Sequence, residues 1–489
     1  MFSCTLDDDA TLVSHSGCLC HRPEIQSLTR RIGLDVSRRG VVAGIAASIA
    51  LLASSKRSHA QSTLSPAPRP RLILFTNARV FDGTSAGLRD GLSVLVQDHH
   101  IKAVTAGNPA APDGAQVIDC GGRVLMPGLI DMHWHAVFAA MPLQRLMTAE
   151  VGAIFLTAGV EAERTLMRGF TTIRDAGGPV FPLKDAIDTG LIAGPRIYPS
   201  GAMITTTGGH ADMRPLSDLP SRPGAPLGAL EQMGGSIIAD SADEVRLRVR
   251  EQLMQGASQV KIVGSGGVSS PRSPLEMLTF SEPALRVAVD TARDWNTYVM
   301  VHAYTSAAVG RAIAAGAQCI EHAHLMDAGT ARSMAETNTW LSIQPFLTDA
   351  DAITLEGPSR AKMLQVFART DTAYTLAKTN GVRTAFGSDL LFSDTLAARQ
   401  GTMLTHLSRW YGNAEILSMA TAVNGELLAL SGPRNPYPGK LGVVEEGALA
   451  DLLLVDGNPL QDIRLIADPD RSFVLIMKDG RVHKNALAA

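Results

Sequence analysis

Cysteine is scarce in this sequence: five residues in 489, with Cys4, Cys18 and Cys20 all in the first 20 positions. That argues against a disulfide framework as the basis of the fold. Positive charge is not in excess either. Lysine and arginine total 44 against 47 acidic residues, a formal net charge of −3, with no basic run beyond the N-terminus. Nucleic acid is therefore not expected as a partner. Long apolar runs are also missing. The run Val41 to Ala53 has 13 residues, whereas about 20 are needed to span a bilayer as a helix. No membrane span is expected in the mature protein. What remains, 45% apolar and 19% charged residues, is ordinary globular composition. The length suggests one large domain plus an accessory element.

Residues 1–60 read as an address. Arg38-Arg39 precede the apolar run, Lys56-Arg57 follow it, and Ser58-His59-Ala60 offers small residues where a signal peptidase would cut. The stretch Ser37-Arg38-Arg39-Gly40-Val41-Val42 is similar to a bacterial twin-arginine signal. Export to the periplasm with cleavage near Ala60 is expected, which leaves Cys120 and Cys319 in the mature chain.

Residues 61–71, with Pro66, Pro68 and Pro70, read as a linker. Short β runs with Gly, Asn and Asp turns follow in 72–127. They recur in 433–489, where Asp479-Gly480 signals a hairpin. Both chain ends are expected to build one small β-sandwich. Between them, in 128–432, strand-like runs alternate with amphipathic stretches such as 242–255, 282–295 and 306–315. Candidate strands end near His135, Asp175, Ser200, Val263, His302, His322, Pro345 and Asp389. Such alternation predicts an α/β fold, a (β/α)8 TIM barrel. The long gap between Ser200 and Val263 holds a Pro/Gly-rich stretch, 215–235, of the kind that forms lids.

Five of those strand ends carry metal-ligand types of residue, and strand C-termini are where barrel active sites sit. His133 and His135 lie two apart, so a strand aims both to one side. A pair on a surface strand would look the same. Lys261 interrupts an apolar strand. Its stem can pack while its ammonium snorkels, or burial can lower its pKa and let the neutral amine add carbon dioxide to form a carbamate able to bridge two ions. His302, His322 and Asp389 end later strands; each alone could be a satisfied structural residue, but the set in this order points to a metal site.

His-x-His, strand lysine, His, His and Gly387-Ser388-Asp389 in this order resemble the amidohydrolase superfamily over about residues 72–484. Thr206-Thr-Gly-Gly-His210, Val260-Lys-Ile262, Val301-His-Ala-Tyr304 and Ile320-Glu-His-Ala323 resemble the branch that holds imidazolonepropionase-like enzymes, Xaa-Pro dipeptidases and ochratoxin amidohydrolases. The resemblance implies two divalent ions, with zinc expected. His133, His135 and Asp389 would hold the first, His302 and His322 the second, and carboxylated Lys261 would bridge them. It implies that Asp389 moves the proton, that His210 faces the substrate carbonyl and that Tyr304 faces a C-terminal carboxylate; His324 would support from behind. The expected reaction releases a C-terminal amino acid from N-acyl amino acids or dipeptides, with ochratoxin A as an incidental substrate. The alternatives are a cyclic-amide hydrolase, lactonase or deaminase of the same superfamily, or a non-catalytic exported metal-binding protein. Members of the branch often form homo-oligomers, so self-association is implied as well.

Overall fold

The computed structural model describes residues 72–220 and 226–487. The expected signal segment, its twin arginines and the linker lie outside the described residues, as do positions 221–225 of the stretch 215–235. No helix among the described residues is long and apolar enough to cross a membrane. Cys120 and Cys319 are buried free thiols.

The two ends of the described chain share one eight-stranded sheet. From the first end come β1 (Leu72–Val80), β2 (Arg89–Gln97), β3 (His100–Ala106), β4 (Gln116–Asp119) and β5 (Val124–Pro127). The central strands are β6 (Leu129–Trp134), β7 (Phe170–Asp175), β8 (Arg196–Tyr198), β9 (Met203–Thr205), β10 (Ser236–Ile238), β11 (Val260–Val263), β12 (Val299–Thr305), β13 (Cys319–Leu325), β14 (Trp340–Ile343) and β15 (Thr384–Phe386). The last three are β16 (Leu452–Val455), β17 (Phe473–Lys478) and β18 (Arg481–Asn485). The order in the end sheet is β18-β17-β16-β5-β1-β2-β3. It forks at β1, which pairs in parallel with β4 along Ile73 to Thr76 and with β5 along Arg79 and Val80. Where a β-sandwich was expected, hydrogen bonds thus join all eight strands in one branched sheet around its own apolar core.

The central strands form parallel sheets, β6-β7-β8 and β10-β9-β11-β12-β13-β14-β15. β6, β7, β8, β11, β14 and β15 are buried along their whole length, as parallel strands covered on both faces are. Helices with strong local signals cover them. Ser241 caps Ala242–Gln255 and Glu244 completes a capping box, while Gly256 ends the helix in the left-handed region. Ser281, Thr305 and Asp327 cap the helices Glu282–Asp294, Ser306–Ala314 and Ala328–Glu336.

The strand ladders do not run round as one closed cylinder, in contrast to the expected TIM barrel. The two sheets meet through other bonds. Ser258 N donates to Pro199 O (2.8 Å), next to β11 and β8. On the other side Asp389 N donates to His133 O (2.8 Å). Asn424 Nδ2 donates to Ile130 O (2.7 Å) and Phe386 O (2.9 Å), and Ser388 Oγ donates to Asp131 (2.5 Å). Gly387 allows this approach, because a Cβ there would lie 2.8 Å from His133 N. The strands β9 and β10 arise inside the long insertion and occupy the edge beside β11.

Candidate metal centre

His133, His135, Lys261, His302, His322 and Asp389 line one cavity, about 1020 Å³ including its open mouth, at the C-terminal ends of the central strands. His210 and Tyr304 line it too. All of the residues expected at the site are therefore brought together. His324, expected to support from behind, is fully buried behind the wall and donates from Nε2 to Gln344 O (2.9 Å).

Each of four histidines has one ring nitrogen taken by a protein acceptor. His133 Nδ1 donates to Glu321 Oε2 (2.6 Å), and His135 Nδ1 to Gly177 O (2.7 Å). His322 Nδ1 donates to Gln344 Oε1 (2.6 Å), and His302 Nε2 to Gly266 O (3.0 Å). With each of these oxygens accepting, the bonded nitrogen carries the proton and the opposite nitrogen keeps its lone pair. Burial holds His133, His302 and His322 well below the usual imidazole range, so they stay neutral.

His133 Nε2 and His135 Nε2 each lie 3.4 Å from Asp389 Oδ1. Donor atoms of these three residues all fall within 4.8 Å of one another. Lys261 is 2% exposed, and its Nζ lies 3.4 Å from His133 Nε2. Burial lowers its pKa, against the opposing pull of Glu321 and Asp389. Lone pairs and one carboxylate facing a common point, with the outer nitrogens tied down, fit a divalent cation.

The backbone is strained here. Among the described residues, the positive-φ positions that are neither glycine, asparagine nor aspartate are Ala211, His322, Ala323 and Phe392. His322, Ala211 and Phe392 line the cavity and Ala323 follows His322. Such residues gather at functional sites, where the surrounding fold holds them. At His322 (φ 80°) and Ala323 (φ 51°) the left-handed turn has a definite use. Residues adjacent in a strand point to opposite faces, yet Glu321 reaches His133 while the His322 ring lies 4.9 Å from the His133 ring. Both face inward.

The family model of the amidohydrolase family matches residues 124–484.

This chain belongs to the amidohydrolase family.

Ochratoxinase of Aspergillus niger is 29% identical to it over 378 residues, which cover 74% of this chain and 76% of that protein. A crystal structure of an amidohydrolase is similar at 38% identity and a TM-score of 0.79, covering 85% of this chain and 100% of that one. A prolidase complexed with N-methylphosphonate-L-proline is similar at 35% identity and a TM-score of 0.78, with the same coverages.

Around its centre this amidohydrolase carries residues that the motif reading passed over. Glu321 holds His133 and also accepts from Arg174 Nη2 (2.5 Å); both side chains are fully buried. Arg174 and Glu321 are charges inside fully buried strand stretches, but their neighbours in Phe170–Asp175 and Cys319–Leu325 are more polar than those of Lys261, so the signal is weaker. The carbonyls of Gly177 and Gly266 carry no signal in residue type.

Lys362, on the helix Gly357–Asn380, is the other residue missed. It is 7% exposed and donates to the carbonyls of Gly267 (2.6 Å), Ser270 (2.5 Å) and Ser273 (3.0 Å). All three ammonium protons are spent on one loop. That loop holds His302 through Gly266 O, and its Gly267 backs His210 so closely that a Cβ would meet the ring at 2.3 Å. Lys362→Met is expected to free the loop and lower kcat/KM by about ten- to a hundredfold, since small misplacements of this kind cost that much. Lys362→Arg should recover part of it. Amide hydrogen exchange across 264–273 should speed up in the methionine variant, and unchanged exchange would refute the clamp.

Proposed function

We propose that this hydrolase cleaves an amide bond to release a C-terminal amino acid from N-acyl amino acids or dipeptides, using two zinc ions. The reading takes the eight strands β6, β7, β8 and β11 to β15 as a (β/α)8 barrel, supported by the bonds that bridge its two sheets. The observation that carries the function is the shared cavity: four histidines with fixed tautomers, Lys261 and Asp389 at one end, His210 and Tyr304 beside them.

His133, His135 and Asp389 would hold one ion, His302 and His322 the other, with Lys261 as a bridging carbamate. Its burial, which favours the neutral amine that reacts with carbon dioxide, supports that last step. Bound ions would supply a water acidic enough to ionise near neutral pH and an electrophile for the carbonyl.

Asp389 takes the proton from the attacking water and passes it to the leaving amine. His210 has a shielded Nδ1 with no partner, and its ring stacks on His302 at 4.5 Å. With Nδ1 closed in against Gly267, the neutral ring would carry its proton on Nε2 and donate it to the oxygen on which negative charge develops. Tyr304 is 4% exposed, and burial raises its pKa, so its hydroxyl stays protonated and donates to the C-terminal carboxylate.

The test is turnover of a panel of N-acyl amino acids and dipeptides by the zinc-loaded protein, with metal counted per chain. Lys261→Ala is expected to lower the count from two to one and abolish turnover. Two ions and full activity in that variant would reject the bridge; no hydrolysis across the panel would reject the function.

A further inference from the structure

Among the described residues, no carboxylate lining the cavity is free to pair with an ammonium on the acyl side. Two carboxylates line it among the described residues, Asp389 and Asp351. Asp389 belongs to the metal ligands. Asp351 is fully buried and spent: Oδ1 accepts from Arg399 Nη2 (2.8 Å), and Oδ2 from Leu347 N (3.0 Å), Thr348 N (2.8 Å) and Thr348 Oγ1 (3.2 Å). The positions outside the described insertion, Ser221-Arg222-Pro223-Gly224-Ala225, contain no acid.

The rest of the wall is apolar. Met363, Val366 and Phe367 share one face of the helix Gly357–Asn380, at i, i+3 and i+4. Phe367 stacks on Phe346 at 5.7 Å between ring centroids, and Phe346 stacks on His324 at 5.9 Å. This column of rings suits an aromatic or long apolar acyl group.

A free dipeptide cannot avoid this wall. Its ammonium sits on the carbon bonded to the scissile carbonyl, about 2.5 Å from the reacting atom. It cannot reach the mouth while that carbonyl is at the metal centre. It would be desolvated without a counter-charge, beside neutral imidazoles.

We propose that this site selects N-acyl amino acids whose apolar acyl group carries no ammonium, and discriminates against free dipeptides. The inference rests on the amide-releasing reading above and narrows it.

Two substrates differing only in that ammonium decide it: 3-phenylpropanoyl-L-phenylalanine and L-phenylalanyl-L-phenylalanine, offered to the zinc-loaded full chain. The first is expected to have a kcat/KM about a hundredfold higher at pH 6.5, the size of an unpaired buried polar group. The ratio should shrink as pH rises through the dipeptide's amine pKa, about 7.7–8.0 for an α-amine, because titrations of the enzyme cancel between the two substrates. Phe367→Ala should lower kcat/KM for the phenylpropanoyl substrate by a larger factor than for N-acetyl-L-phenylalanine, whose short acyl group offers the rings less to hold. Equal or faster cleavage of the free dipeptide, or a ratio flat with pH, overturns the selection while the amide-releasing reading stands. Turnover of neither compound nor of any N-acyl amino acid overturns both.

Discussion

Asp389→Asn is expected to lower kcat/KM by about a thousandfold or more while the protein stays folded. Asparagine has the size of aspartate and accepts the left-handed backbone at this position (φ 52°), where alanine would add strain. The bond from the residue 389 amide to His133 O, which joins the segment after β15 to β6, does not involve the side chain and persists. What is lost is the charge facing His133 Nε2 and His135 Nε2 at 3.4 Å and the capacity to take a proton. General acid–base catalysis is worth about 10²–10⁴-fold. Metal counted in the same sample separates the two losses. A slow variant with its metal retained locates the effect on proton transfer. Activity within tenfold of the parent rejects the role given to Asp389.

The second large effect lies beneath the metal centre. Glu321→Gln leaves the Arg174 guanidinium without a counter-charge in a fully buried place, where Arg174 also donates to Met132 O (2.7 Å) and Tyr298 Oη (3.1 Å). Breaking a buried pair from one side costs about 3–5 kcal/mol. Arg174→Met leaves the converse, an unpaired Glu321 carboxylate. The double variant removes both charges, so it should be more stable than the sum of the single losses predicts, with a coupling of up to about 3 kcal/mol or more in urea unfolding. Additive losses would show that the pair is not coupled. Glu321→Gln should also weaken metal binding by about 10- to 100-fold, because Glu321 fixes the tautomer and orientation of His133. Competition with a chelator reads that directly, without a turnover assay.

Much of this protein is legible in residue order. The helices Ala242–Gln255, Glu282–Asp294 and Ser306–Ala314 follow from their period and their capping residues. The Asp479-Gly480 hairpin follows from two residues that tolerate positive φ. The eight strand ends in the centre follow from apolar runs bounded by polar residues. These are local signals, each complete within a dozen or so residues.

Other features have no local signature. Period two places Glu321 and His322 on opposite faces, and only the left-handed pair at His322 and Ala323 turns both inward. β9 and β10 lie inside the long gap between Ser200 and Val263, outside the alternation of strand and helix that marks the others. β1 divides its edge between two partners because of where β4 and β5 arrive, not because of its own residues. The wall of the cavity draws on Phe138, Phe346 and Phe367 from distant segments.

The metal centre itself divides along this line. The types and order of the residues proposed as its donors, His133, His135, Lys261, His302, His322 and Asp389, are set by residue order, because strand geometry carries each to the same end of the array. Which nitrogen of each imidazole stays free is set by acceptors brought from elsewhere in the chain, such as Glu321, 188 residues from His133. A ring's tautomer depends on what touches its far side, and that contact exists only once the chain has folded.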